Sequence, residues 1–193
     1  MNKREQQRLD RRQQILECCL DMIVSRGYEA MKTRDITEKL HISTGLIFNY
    51  FGSKEKIFEE LVMMGVNTTE NILRSNEEIK QPIEYFKKIT ETIFEGIQSY
   101  SMTAKMFLLM AQAINSESTP ENVRKIASQL NVINPLISII SHGQKLHQIK
   151  EGDPEALVMA YWGAVQGIAG NYANGQNQHM PKSAWIVDIL RAY

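Results

Sequence analysis

Hydrogen-bonding groups crowd one short stretch of the sequence, Ser43-Thr44-Gly45-Leu46-Ile47-Phe48-Asn49-Tyr50, with Lys54 just beyond it. Ser43, Thr44 and Gly45 fall where a short helix is expected to begin, and the unpaired backbone N–H groups of such a start favour a phosphate. Gly45 carries no side chain, which lets that backbone come close to a duplex. Asn49 offers the adjacent donor and acceptor that match the edge of adenine, while Thr44 and Leu46 suit a base edge or a thymine methyl group. Arg34 has the reach for a guanine or a phosphate. Ile47 and Phe51 have no such use and read as core. The chemistry these types and spacings offer is recognition of a nucleic acid, with no bond made or broken.

Groups for bond-making chemistry do not converge elsewhere. His41, His142, His147 and His179 lack the carboxylate or cysteine spacing of a metal site. Neither a P-loop nor a nucleophile elbow is present. Acid pairs such as Glu77-Glu78 read as solvated charge. No cofactor, no metal and no enzyme activity are expected. Cys18 and Cys19 are adjacent and cannot staple distant segments, so they read as small apolar residues of a packed helix.

The elements that position the recognition stretch follow from periodicity and capping residues. Ile15, Leu16, Cys19, Leu20 and Ile23 share one face of a helix expected over 11–25, with Gly27 as its stop and Tyr28 folding back against it. Thr33 reads as the N-cap of a short helix through Leu40. His41-Ile42 makes a tight turn, and Ser43 caps a second short helix from Thr44 to Tyr50. Two short helices joined by a tight turn behind a longer one is the helix-turn-helix pattern. Beyond it, helices are expected at 54–75, 82–99, 102–115, 121–147 (kinked at Pro135), 153–173 and 183–193. Pro82, Pro120 and Pro154 mark first helical positions, the latter two behind N-cap residues Thr119 and Asp153. The fold class is all-α.

Charge is divided along the chain although the total is zero. Residues 1–56 carry eleven Lys and Arg against eight Asp and Glu, and the remainder carries eleven against fourteen. Lys3, Arg4, Arg8, Arg11 and Arg12 crowd the first twelve positions. A basic head on an acidic body suits a small module that contacts DNA. The longest apolar runs fall far short of a membrane span, and the polar N-terminus lacks the apolar stretch of a signal peptide. A cytoplasmic protein is expected.

Residues 27–57 closely resemble the DNA-binding head of the TetR (tetracycline repressor) family of one-component regulators. The marks are Ser43-x-Gly45 followed by an aliphatic-aromatic pair, then Tyr50-Phe51-x-Ser53-Lys54-Glu55. With the first helix, the resemblance covers about the first 60 residues. It implies that Thr33, Tyr50 and Lys54 clamp phosphates and set register. His41 stands where the family turn usually has glycine, Thr37 where alanine is common, and Phe48 where tyrosine is common. His tolerates a left-handed backbone, so the turn should survive. Phe48 removes a hydroxyl that would reach phosphate, which puts one DNA contact in question.

The resemblance also implies a body that dimerises through its last two helices. Gly163, Gly167 and Gly170, with Ala160 and Ala164, form a small-residue cluster on one helix. Mid-helix glycine costs ~1 kcal/mol relative to alanine, so close approach of another helix is the expected reason, either across a dimer or within one subunit. Met102, Met106 and Met110 repeat at helical spacing beside Phe107; they read as core or as an adaptable ligand wall. Phe86, Ile89, Ile93 and Trp162 would complete such a pocket, with Gln112 and Gln166 as polar handles if they face inward.

The expectation is a ligand-responsive regulator, a repressor that binds a palindromic double-stranded operator as a homodimer and is released by a small-molecule inducer. Residues 1–54 would form an N-terminal three-helix DNA-binding domain, joined by a connecting helix to a helical bundle over 55–193 for effector binding and dimerisation. The alternative is a helical ligand-binding or adaptor protein that has lost DNA binding.

Overall fold

The computed structural model describes residues 2–74, 79–175 and 179–192, so Glu77-Glu78 lies outside the described residues. Among the described residues ten helices follow in chain order: α1 (Lys3–Arg26), α2 (Thr33–Leu40), α3 (Thr44–Phe51), α4 (Lys54–Leu73), α5 (Pro82–Ser99), α6 (Ser101–Asn115), α7 (Glu121–Ser128), α8 (Ile133–Lys145), α9 (Pro154–Ala173) and α10 (Ser183–Val187). Among the described residues the only β pairing is an isolated bridge between Ile149 and Arg191. No described helix is long and apolar enough to cross a membrane.

Compactness divides the chain into two units, Met1–Val66 with Leu108–Gln129, and Asn67–Phe107 with Leu130–Tyr193. The first unit therefore takes in residues that the sequence places in the body. Specific bonds hold them there. Gln112 donates from Nε2 to the Val24 carbonyl at 3.1 Å, and Asn122 donates to the Glu59 carboxylate. Buried Ile15, Leu16, Cys19, Leu20 and Ile23 of α1, with Met31, Ile36, Ile47, Ile57, Phe58 and Leu61, supply its apolar interior. Tyr28 does fold back, its ring stacked on Phe58 with centroids 4.9 Å apart. Burial raises both thiols, Cys19 to about 12 and Cys18 less far. Neither is a reactive thiolate at neutral pH.

Several helix ends differ from the sequence expectation, each for a local reason. α1 starts at Lys3, eight residues early, because Asn2 and Glu5 form a reciprocal capping box with both bonds at 2.9 Å. Its first turns bury nothing, so apolar periodicity could not reveal them. Thr33 is the first residue of α2 and makes no cap. Lys32 is the N-cap instead, and its carbonyl accepts from Asp35 N–H at 3.0 Å. Thr119 likewise does not cap α7; its hydroxyl turns to the Gln112 carbonyl at 3.3 Å, and Pro120 takes the cap position.

The expected kinked helix over 121–147 is two helices, α7 and α8. Pro135 lies in the first turn of α8, where the missing N–H has no intrahelical partner to lose. Asn131 Oδ1 accepts from Asn134 N–H at 3.1 Å beside it. The expected terminal helix over 183–193 shortens to α10, and the chain after it pairs with the segment following α8. Lys150 N–H donates to the Leu190 carbonyl at 2.9 Å, and Ala192 N–H to that of Gln148 at 3.1 Å.

The second unit packs α5, α8, α9 and α10 around Phe86, Ile89, Ile93, Leu136, Ile140, Val158, Tyr161 and Val165. Phe86 meets Tyr161 edge-on with centroids 5.0 Å apart. The Tyr161 hydroxyl is satisfied by Thr90 Oγ1 at 2.8 Å, which lets two polar groups lie fully buried. The glycine that close packing requires within this unit is Gly143, which the sequence reading did not single out. A Cβ there would sit 2.6 Å from Ile149 Cδ1 and 3.0 Å from Pro82 Cβ. Ile149 is itself buried and has little room to move. Gly143→Ala should therefore lower stability by ~1–3 kcal/mol despite alanine's better helix propensity. Urea unfolding followed by circular dichroism reads this, and an unchanged or raised midpoint would mean the site relaxes freely.

Candidate nucleic-acid interface

α2 and α3 meet through a turn whose geometry depends on one residue. His41 adopts φ 53° and ψ 49°, the left-handed conformation that glycine takes without strain. Its N–H donates to the Thr37 carbonyl, as does that of Ile42 at 3.1 Å. The turn survives the histidine. Ser43 then caps α3, its Oγ accepting from Leu46 N–H at 3.3 Å.

α3 spans eight residues without a charged side chain. Ile47 and Phe51 bury one face, while Thr44, Gly45, Phe48 and Asn49 form the exposed one. Leu46 and Tyr50 flank the stripe, half-buried. With no acid in its first turn, α3 itself does not offset the partial positive charge at its N-terminus. Gly45 has nothing within 4 Å of where its Cβ would be. The surface in front of it is open to a close-fitting partner. Gly52, at φ 79°, ends α3, and Ser53 Oγ accepts from Lys56 N–H at 3.1 Å at the start of α4.

Cations frame this stripe. The Lys54 ammonium lies 4.2 Å from the centroid of Tyr28 and donates to the Glu29 carbonyl at 3.3 Å. Partial burial lowers its pKa, and the nearby Glu29 carboxylate opposes that shift. The Arg8 guanidinium lies over Tyr50 at 5.8 Å and that of Arg12 over Phe51 at 5.0 Å. Sequence reasoning counted these arginines as part of a basic run but did not bring them to the end of α3. The early start of α1 does so, and the Asn2-x-x-Glu5 capping box was the available signal. Arg12 also pairs with Glu60. Arg34 stands exposed on α2 and is engaged by Glu38 at 2.7 Å, one turn on, which raises its pKa further. A phosphate or guanine contact by Arg34 must compete with that carboxylate. Thr33 is half-buried at the start of α2.

The residues expected to line a ligand wall are less gathered. Phe86, Ile89 and Ile93 are packed core of the second unit, and Trp162 meets Phe107 with centroids 6.0 Å apart. Met102 is buried and Met106 half-buried in that unit, whereas Met110 falls in the first. Gln166 is exposed and does not face this core, because the α9 side that carries it is the one left open in the protomer. Gln112 is engaged with Val24. Gly163 and Gly167 share the exposed side of α9 with Met159 and Ala160, and Gly170 is half-buried. A Cβ on Gly163 or Gly167 would meet nothing within 4 Å. Packing within one subunit gives no reason for either glycine.

Comparison with known proteins places this geometry. Residues 15–61 match the family model described as bacterial regulatory proteins, tetR family. The HTH-type transcriptional regulator LuxR of Vibrio harveyi is 27% identical over 162 residues, covering 83% of this chain and 78% of that protein. Among solved structures, the TetR family regulator PfmR of Thermus thermophilus has a TM-score of 0.68 at 21% identity, over 92% of this chain and 97% of its own. AibR, solved with isovaleryl coenzyme A and operator DNA, has a TM-score of 0.66 at 16% identity, over 92% and 94%. The chain thus carries a helix-turn-helix head that matches the tetR family model, and over most of its length it is similar in sequence to the transcriptional regulator LuxR and in fold to regulators of the TetR family.

Proposed function

We propose that this regulator is a cytoplasmic repressor that binds a palindromic operator as a homodimer and is released by a small-molecule inducer. The exposed stripe of α3, uncharged and framed by Tyr50, Lys54 and Arg8, carries the reading. In this division of labour residues 1–54 bind DNA and residues 55–193 bind effector and dimerise. Asn49, Thr44 and Leu46 read bases. Thr33, Tyr50 and Lys54 hold phosphates, joined by the α3 N-terminus at Ser43 to Gly45, and Arg34 does so when released from Glu38. Gly163, Gly167 and Gly170 form the closest approach of the two subunits, since one short helix alone reads too few base pairs.

Selection from a pool of random 30-base-pair duplexes tests this. An inverted repeat should be enriched, and its affinity should fall by ~0.9 logarithmic units per tenfold rise in salt for each phosphate held. Retention of no sequence over bulk competitor would favour the adaptor that has lost DNA binding.

For the effector, Met102 and Met106 with Phe86, Ile89, Ile93 and Trp162 remain the proposed lining within the second unit, to which Met110 does not belong. Because several of these are packed in the free chain, a ligand must stabilise a rearranged core. That requirement suits a switch, since a ligand shifts an equilibrium only by its differential affinity for two states. Linkage demands that operator DNA weaken inducer binding by the factor that inducer weakens DNA binding. Equal affinities of a candidate ligand for free and DNA-bound protein, measured by calorimetry, would exclude it as the inducer.

A further inference from the structure

Phe48 is 48% exposed although it lies between Ile47, at 1%, and the helix turn that buries Phe51, at 8%. The fold buries Ile47 and Phe51 and leaves the Phe48 ring in water. An exposed aromatic ring in the middle of a stripe of groups fit for base recognition is placed to meet the same partner as they do. Its chemistry narrows what that partner is. A phenyl ring carries no hydroxyl and no charge, so it cannot donate to a phosphate. Among the groups that base pairs present in the major groove, the one apolar group is the 5-methyl of thymine. Thr44 and Gly45 lie one turn before Phe48 on the same exposed face, and the space in front of Gly45 is open. The ring edge is therefore free to descend to the level of the bases. Asn49, next along the helix, offers the donor and acceptor pair for an adenine edge, so the two side chains together favour A·T pairs.

We infer that Phe48 reads the 5-methyl group of a thymine, and so supplies sequence preference in the place of a phosphate contact. The inference rests on the proposal that α3 enters the major groove. Phe48→Ala removes the ring from an exposed position and should leave the melting temperature of the protein nearly unchanged.

The test uses a duplex selected by the parent protein, resynthesised with each thymine replaced singly by deoxyuridine, which deletes only the methyl. For the parent, one such replacement per half-site should weaken binding about fourfold, the value of burying one methyl group. For Phe48→Ala, the same replacement should have no effect, and its affinity for the unmodified duplex should already be reduced by at least that factor. Phe48→Tyr, which keeps the ring, should retain the sensitivity. Losses that simply multiply at every thymine overturn the inference, as does masking by Leu46→Ala instead of Phe48→Ala. If no duplex can be selected at all, the proposed DNA-binding function falls and this assignment falls with it. If a duplex is selected but no methyl depends on Phe48, only the assignment falls.

Discussion

Replacing Gly167 by leucine should leave a well-folded monomer that no longer holds operator DNA. In the protomer the position is exposed mid-helix with open space where a side chain would begin, so leucine strains nothing and improves helix propensity by up to ~1 kcal/mol. Between subunits the arithmetic reverses. If α9 packs closely against its symmetry mate, each leucine overpacks the interface by ~1–3 kcal/mol, and two-fold symmetry applies the penalty twice. A total of ~2–6 kcal/mol weakens association by ~30-fold to over 10⁴-fold. Sedimentation at micromolar concentration should show monomer with an undiminished melting transition, and operator affinity should collapse because the two half-sites are no longer read together. A stable dimer with normal DNA binding would remove the glycine face of α9 from the interface.

Asn49→Ala and Lys54→Ala should both impair DNA binding, but in different ways. Asn49 is exposed on α3; if it reads a base, its loss should relax preference at one position of the half-site by ~1–3 kcal/mol, or ~5- to 150-fold in discrimination. Lys54 stands at the start of α4, its ammonium tethered over Tyr28. Its loss should weaken all sequences together and flatten the salt dependence by ~0.9 per phosphate contact. Competition against an operator library at two salt concentrations separates the two. Uniform, sequence-independent losses from both variants would overturn the base-reading role of Asn49.

How much of this was legible in the sequence depended on which physical signal each feature leaves. The all-helical fold and the helix-turn-helix were legible because Ile15, Leu16, Cys19, Leu20 and Ile23 repeat at helical spacing, and because Gly27, Ser43 and Gly52 mark helix ends by backbone and capping chemistry that is local. The first turns of α1 were not. They bury no apolar surface, and only the pairing of Asn2 with Glu5 betrays them. The division between α7 and α8 was missed because Pro135 has two meanings, a kink inside a helix or a favoured residue in a first turn. Sequence spacing alone does not separate them. Gly143 escaped for the opposite reason: its constraint comes from Ile149 and Pro82, which are near only in the folded chain. Within the candidate site, the exposed stripe followed from the periodicity of α3. The placement of Arg8 and Arg12 against Tyr50 and Phe51 is a tertiary fact; the capping box of α1 signals the helix that carries them, not the rings they meet. Gln166 was open to either side from sequence; it follows Trp162 by one turn of α9, yet is exposed where Trp162 is buried.

The two cysteines of this chain both lie on α1, at 0% and 4% exposure, and the second unit has none. Neither is ionised or accessible in the folded state, so a thiol reagent modifies them only when the first unit opens. The protein thus carries an intrinsic probe of local unfolding confined to the unit that holds the helix-turn-helix. The rate of labelling under native conditions, followed with and without operator DNA, reports the opening free energy of that unit separately from the rest of the chain.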